Sequence, residues 1–147
     1  MDSKTILLVE DNQADEDLAL LALRKNKFRN EVVVARDGAE AIDYLFGTGR
    51  FAGRDTTKRP AIILLDLQLP KLGGLEVLKL VRADERTKLI PVIILSSSKE
   101  DKDLVTGYTL GANSYIRKPV DFHEFNEVVK QMGMYWLSIN EPPPGGC

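Results

Sequence analysis

Short, unbroken apolar runs alternate along the chain with longer stretches whose apolar residues recur every three or four positions. The runs are Thr5-Ile6-Leu7-Leu8-Val9, Glu31-Val32-Val33-Val34-Ala35, Ile62-Ile63-Leu64-Leu65, Val92-Ile93-Ile94-Leu95 and the shorter Ser114-Tyr115-Ile116-Arg117. Branched aliphatics without polar alternation predict strands buried on both faces, as in the middle of a parallel sheet. The periodic stretches between them predict helices. The first is capped by Asp11 or Asn12 and runs to about Lys27, with Leu18, Leu21 and Ala22 on one face. Asp37-Gly38 turns into a second, carrying Ala41, Ile42, Leu45 and Phe46. A third follows Gly73-Gly74, from about Leu75 to Asp84, and a fourth opens in the charged run Lys99 to Asp103 and stops at Gly111. In the fifth, from about Asp121, the residues Phe122, Phe125, Val129, Met132 and Trp136 make one face. Val128, Tyr135 and Leu137 lie off that stripe and require another neighbour. Five strands alternating with five helices predict a doubly wound α/β domain with a parallel sheet. It is expected to occupy residues 1–140, with a disordered Pro/Gly tail at 141–147.

One segment breaks the alternation. Gly47 to Arg59 holds three glycines, four basic residues (Arg50, Arg54, Lys58 and Arg59) and an isolated Phe51. It exceeds the roughly 2–6 residues of an ordinary αβ loop. Two readings stay open, a solvated surface loop and a partner-contact loop.

The polar residues at the strand ends change the picture most. Glu10-Asp11 follow the first strand, Asp66 the third, Ser96 the fourth and Lys118 the fifth. In open α/β sheets the carboxyl ends of the strands are where ligands bind. Three crowded carboxylates repel one another unless a cation neutralises them. Oxygen ligands without His or Cys favour a hard ion such as Mg²⁺. A lysine and a hydroxyl beside them suit a phosphoryl group, and an aspartate can accept one as an aspartyl phosphate.

Composition narrows the alternatives. The 147 residues, 44% hydrophobic and 29% charged, fit one soluble globular domain. A net charge of -2 gives no general grip on nucleic acid. The single cysteine, Cys147, excludes an internal disulfide. No apolar run approaches the ~18 residues of a membrane span, and the N-terminus has no signal-peptide layout, so a cytoplasmic setting is expected. Gln68 stands where a dehalogenase-type phosphatase needs a second acid. The first turn, Glu10-Asp11-Asn12-Gln13, is acidic where a phosphate-cradling loop needs glycines.

The acid pair Glu10-Asp11, the stretch Leu64-Leu65-Asp66-Leu67-Gln68-Leu69-Pro70 with Gly74, Leu95-Ser96, Tyr115 and Lys118-Pro119 together resemble the response-regulator receiver domain of two-component signalling, over about residues 4 to 138. The resemblance implies a flavodoxin-like sheet of order 2-1-3-4-5. It implies that Asp66 accepts phosphate from a histidine of a partner kinase. Asp11, Asp66 and the Gln68 backbone carbonyl are then Mg²⁺ ligands, with Glu10 acting through water. Ser96 bonds the phosphoryl oxygen, Lys118 pairs with it, and Tyr115 turns inward as the switch aromatic. Lys118-Pro119 is expected to be cis. The signal would leave through the face of the fourth helix, fifth strand and fifth helix, which is also the expected homodimer surface. Gln68 and Ser98 border the water that hydrolyses the phosphoryl group, and so bear on its lifetime. No enzymatic turnover is implied beyond self-phosphorylation from a donor and slow loss of the phosphate. The lone His123, at a helix start, leaves the donor histidine to another protein. The long 47–59 loop and the Tyr135-Trp136-Leu137 ending are similar to single-domain regulators that partner phytochrome-type histidine kinases. The rival reading is a receiver-shaped interaction module indifferent to phosphorylation.

Overall fold

A computed structural model of the protein describes residues 5–28, 30–97, 100–118 and 121–142, without the side chain of Asp101. The expectations for Ser98, for the Lys118–Pro119 peptide and for the tail beyond Pro142 lie outside those residues. Each apolar run forms a strand: β1 (Ile6–Val9), β2 (Val32–Ala35), β3 (Ile62–Asp66), β4 (Val92–Ser96) and β5 (Ser114–Arg117). They pair in parallel in the order β2-β1-β3-β4-β5, the flavodoxin-like arrangement. The helices are α1 (Gln13–Lys25), α2 (Gly38–Phe46), α3 (Gly74–Ala83), α4 (Asp101–Thr109) and α5 (Phe122–Gly133). Among the described residues no helix is long and apolar enough to cross a membrane.

Successive strand residues point to opposite faces, so each strand feeds two cores. Leu7, Val9, Ile63, Leu65 and Ile94 meet Ala41 and Leu45 of α2 and Val77, Leu78 and Val81 of α3. Ile6, Leu8, Ile62, Leu64 and Ile93 meet Ala19 and Ala22 of α1 and Phe125, Val129 and Met132 of α5. Burying each large aliphatic contributes about 1.5–3 kcal/mol, which explains why both faces of the strands are apolar.

Two helix faces differ from expectation. Leu18 and Leu21 are 37% and 46% exposed, and α1 buries Glu16, Ala19, Ala22 and Leu23. Small alanines let a helix lie close on a sheet, a steric demand that hydrophobicity alone does not reveal. Beyond α5 the chain widens into a π-helix, Met134–Ile139, closed by the Asn140 N–H donating to the Tyr135 carbonyl. The i→i+5 step of a π-helix brings Leu137, five residues after Met132, back to the core face. Leu137 is buried there, beside a part-buried Trp136, while Tyr135 faces out. An uninterrupted α-helical period puts Leu137 off that stripe.

The 47–59 loop folds back on α2. Phe51, in a 3-10 turn at Gly49–Phe51, meets the Tyr44 ring edge-on at 5.1 Å. The Arg54 guanidinium lies 4.0 Å from the centre of the Tyr44 ring and donates to the Tyr44 carbonyl at 2.6 Å. The aromatic and one of the basic residues that suggested a contact surface are thus turned onto the domain itself.

Candidate functional site

Parallel pairing delivers all five strand ends to one edge, and register decides which end residues are neighbours. Val9 lies opposite Leu65, Asp66 opposite Leu95, and Ser96 opposite Arg117. Glu10 therefore emerges beside Asp66, and Lys118 beside Ser96, whose carbonyl accepts from the Lys118 backbone N–H at 2.8 Å. A Cβ on Gly74 would strike the Asp66 carbonyl oxygen, so glycine lets α3 begin directly behind the acid.

Glu10, Asp11 and Asp66 bring carboxylate oxygens within 4.8 Å of one another. Glu10 and Asp66 are buried, whereas Asp11 is open to solvent. Burial, with hydrogen bonding to Asp66 added to it, pushes the Glu10 carboxyl up to about 7, against the lowering pull of Lys118. Lys118 Nζ lies 2.8 Å from Glu10 Oε1, 3.0 Å from Asp15 Oδ2 and 3.6 Å from Asp66 Oδ2. Burial works to lower the Lys118 pKa, but its hydrogen bond to Glu10 and the charges of Asp66 and Glu10 outweigh it, and the pKa rises. Acid outnumbers base here, and every acidic donor is an oxygen. That set fits a hard divalent cation, for which Glu10, Asp11 and Asp66 are the available side-chain ligands.

The Gln68 backbone N–H donates to Asp66 Oδ1 at 3.3 Å. Ser96 is fully buried at the end of β4. Tyr115 pairs with Ile94, two residues back from Ser96 along the neighbouring strand, and packs against the core on the α2–α3 side of the sheet. Its hydroxyl is buried with no hydrogen-bond partner among the described residues. Beside the acids a cavity of about 310 Å³ opens, lined by Leu18, Phe122 and Phe125 and, on its polar side, Asp15 and Lys118. Exposed His123 lies in the first turn of α5, with its backbone N–H on the Asp121 cap.

Sequence reasoning thus brought Glu10, Asp11, Asp66, Ser96 and Lys118 to one edge and missed Asp15. An acid in the first turn of a helix is ordinary, and nothing in the spacing marked this one as a site residue.

The sequence model of the response regulator receiver domain matches residues 6–130. The chain belongs to this family. It is one of signalling proteins rather than of conventional enzymes. This receiver is 40% identical over 141 residues to the probable methanogenesis regulatory protein FilR2 of Methanothrix harundinacea, covering 94% of this chain and 86% of that one. To the response regulator Rcp1 of Synechocystis sp. it is 35% identical, with 91% and 89% covered. The crystal structure of the phosphorylated cyanobacterial phytochrome response regulator RcpA superposes on it with a TM-score of 0.89 at 42% identity, covering 97% and 99% of the two chains. The Mn²⁺-bound form of Rcp1 superposes at 0.87 with 34% identity, covering 95% and 99%. The receiver is therefore similar to single-domain regulators, a phytochrome regulator among them.

Proposed function

We propose that this receiver takes a phosphoryl group onto Asp66 from the phosphohistidine of a sensor kinase and passes the signal on by protein contact or onward phosphotransfer. The observation that carries the reading is the buried Asp66 carboxylate, grouped with two further acids and 3.6 Å from the Lys118 ammonium. An Asp66 oxygen attacks phosphorus as the N–P bond of the donor breaks. The bonding pair stays on the imidazole, which takes up a proton. Mg²⁺, held by Asp11, Asp66 and the Gln68 carbonyl with Glu10 acting through water, would supply charge neutralisation for the incoming phosphoryl oxygens. Lys118 pairs with one phosphoryl oxygen, and the Ser96 hydroxyl bonds another.

Tyr115 supports the switching half of the proposal. Its ring lies next to Gly107 of α4, so a change in its packing moves α4 against β5. The face formed by α4, β5 and α5 carries exposed Val105, Tyr108 and Tyr135, and a groove runs between Ile116, Val128 and Tyr135. That apolar surplus suits a homodimer or an output partner. Likeness to RcpA favours a phytochrome-type kinase as the donor. The test is transfer from such a kinase charged with labelled ATP. Label is expected to pass to the wild type and not to Asp66→Asn, and equal labelling of both would sink the proposal.

A further inference from the structure

The acids opening α1 have separate destinations. Asp17 accepts from the Gln13 side-chain amide at 2.9 Å, and Glu16 is buried against Arg36 at 3.2 Å. Asp15 alone of these turns to Lys118, at 3.0 Å, its own backbone N–H being held by the Asn12 cap at 3.0 Å. Lys118 Nζ is thus within hydrogen-bond range of Glu10 at 2.8 Å and of Asp15, while Asp66 at 3.6 Å lies beyond that range. The ammonium destined for a phosphoryl oxygen is held off Asp66 by two other carboxylates.

These two carboxylates are not equivalent. Glu10 belongs to the acid group that fits a divalent cation, and Asp15 does not. Cation binding relieves Glu10 of its need for Lys118 and leaves Asp15 with the same claim on it. The Asp15 side chain is 41% exposed against 13% for Lys118, so Asp15 turns to water at little cost once the lysine leaves. Resting on the assignment of Asp66 as phosphoacceptor, we propose that Asp15 is a positioning residue that competes with the Asp66 phosphoryl group for Lys118. It thereby sets how readily Asp66 is loaded. Its charge also stands beside the site against an anionic donor.

The test uses the full chain as wild type, Asp15→Asn and Asp15→Glu. Equilibrium affinity for beryllofluoride in Mg²⁺, a stand-in for the phosphoryl group, is read from amide shifts, and initial loading by acetyl phosphate from intact mass. Asp15→Asn is expected to bind beryllofluoride about fivefold tighter and to load faster, the scale of one part-exposed charge pair. Asp15→Glu restores wild-type behaviour, and the gap narrows as ionic strength rises, which a merely structural role does not produce. Unchanged or weaker binding in a folded Asp15→Asn, with wild type loading normally, overturns this inference alone. If the variant fails to fold, Asp15→Ser and the salt dependence of wild type carry the same test. A wild type that neither binds beryllofluoride nor loads overturns the phosphoacceptor assignment and this inference with it.

Discussion

Lys118 and Arg82 are both cations drawn into the body of the domain, at opposite edges of the sheet, and their surroundings differ in kind. Arg82 Nε donates to the Gly111 carbonyl at 2.8 Å, and Nη1 to the carbonyls of Lys88 at 2.9 Å and Ile90 at 2.7 Å. Its Nη2 donates to Asn113 Oδ1 at 2.7 Å, which also accepts from the Val92 N–H that opens β4. These four acceptors are neutral and three of them are backbone carbonyls, so burial is left to draw the Arg82 pKa down. Burial pulls Lys118 the same way and loses to Glu10, Asp66 and Asp15, so its pKa rises. Carbonyls locked in the chain give Arg82 no second arrangement, and it welds α3 to the loops before β4 and β5. Carboxylates with claims of their own leave Lys118 exchangeable. The same charge is a rivet at one edge and a movable contact at the other.

The largest effect expected from breaking this contrast is at the rivet. Arg82→Ala removes charge-assisted hydrogen bonds to four acceptors. It should lower unfolding free energy by about 3 kcal/mol in urea titrations, while phosphoryl loading per folded molecule stays as in wild type. Lys118→Ala should cost less, about 1–2 kcal/mol in chelator, because Glu10 can neutralise itself by taking a proton. Millimolar Mg²⁺ should restore most of that loss and none of the Arg82→Ala loss. Equal recovery of both variants would erase the distinction.

The charge excess at the site also predicts a pH signature. Without metal the Glu10 carboxyl should titrate near 7, against 4.5 for an ordinary glutamate. Between those values the unfolded chain holds fewer protons than the folded one, so stability falls as pH rises from about 4.5 through about 7. Mg²⁺ should lower the Glu10 pKa and flatten the slope. Carboxyl carbon shifts followed by NMR give the answer, and an ordinary Glu10 value in chelator would count against the crowding. The smallest effect is expected at Gly107. A Cβ there would come within 2.9 Å of Ile94 Cδ1 and 3.3 Å of the Tyr115 ring. Gly107→Ala should change stability by less than about 1 kcal/mol, since the gain in helix propensity offsets the crowding. It should still move the Tyr115 ring resonances, and unmoved resonances would place Tyr115 clear of α4.

What the sequence made legible follows the same divide. Strands buried on both faces announce themselves as unbroken aliphatic runs, and the acids at their ends follow directly from parallel pairing. Arg82 was invisible because its partners are mostly backbone carbonyls, reached only when loops 88–90 and 111–113 converge. Asp15 was invisible because helix N-termini favour acids whether or not a lysine waits beside them. Leu18 and Leu21 misled because the sheet side of α1 is decided by the small Ala19 and Ala22. Leu137 misled because the helical period changes to a π step just before it. In each case the deciding quantity was a distance or a change of period rather than residue type.

Intact mass after incubation with acetyl phosphate, with Mg²⁺ and with chelator, on wild type and Asp66→Asn, tests the account at its centre. One phosphoryl adduct is expected on wild type in Mg²⁺, little in chelator and none on Asp66→Asn. An adduct that persists in Asp66→Asn, or a wild type that stays unmodified in Mg²⁺ with either acetyl phosphate or a charged kinase, would contradict it.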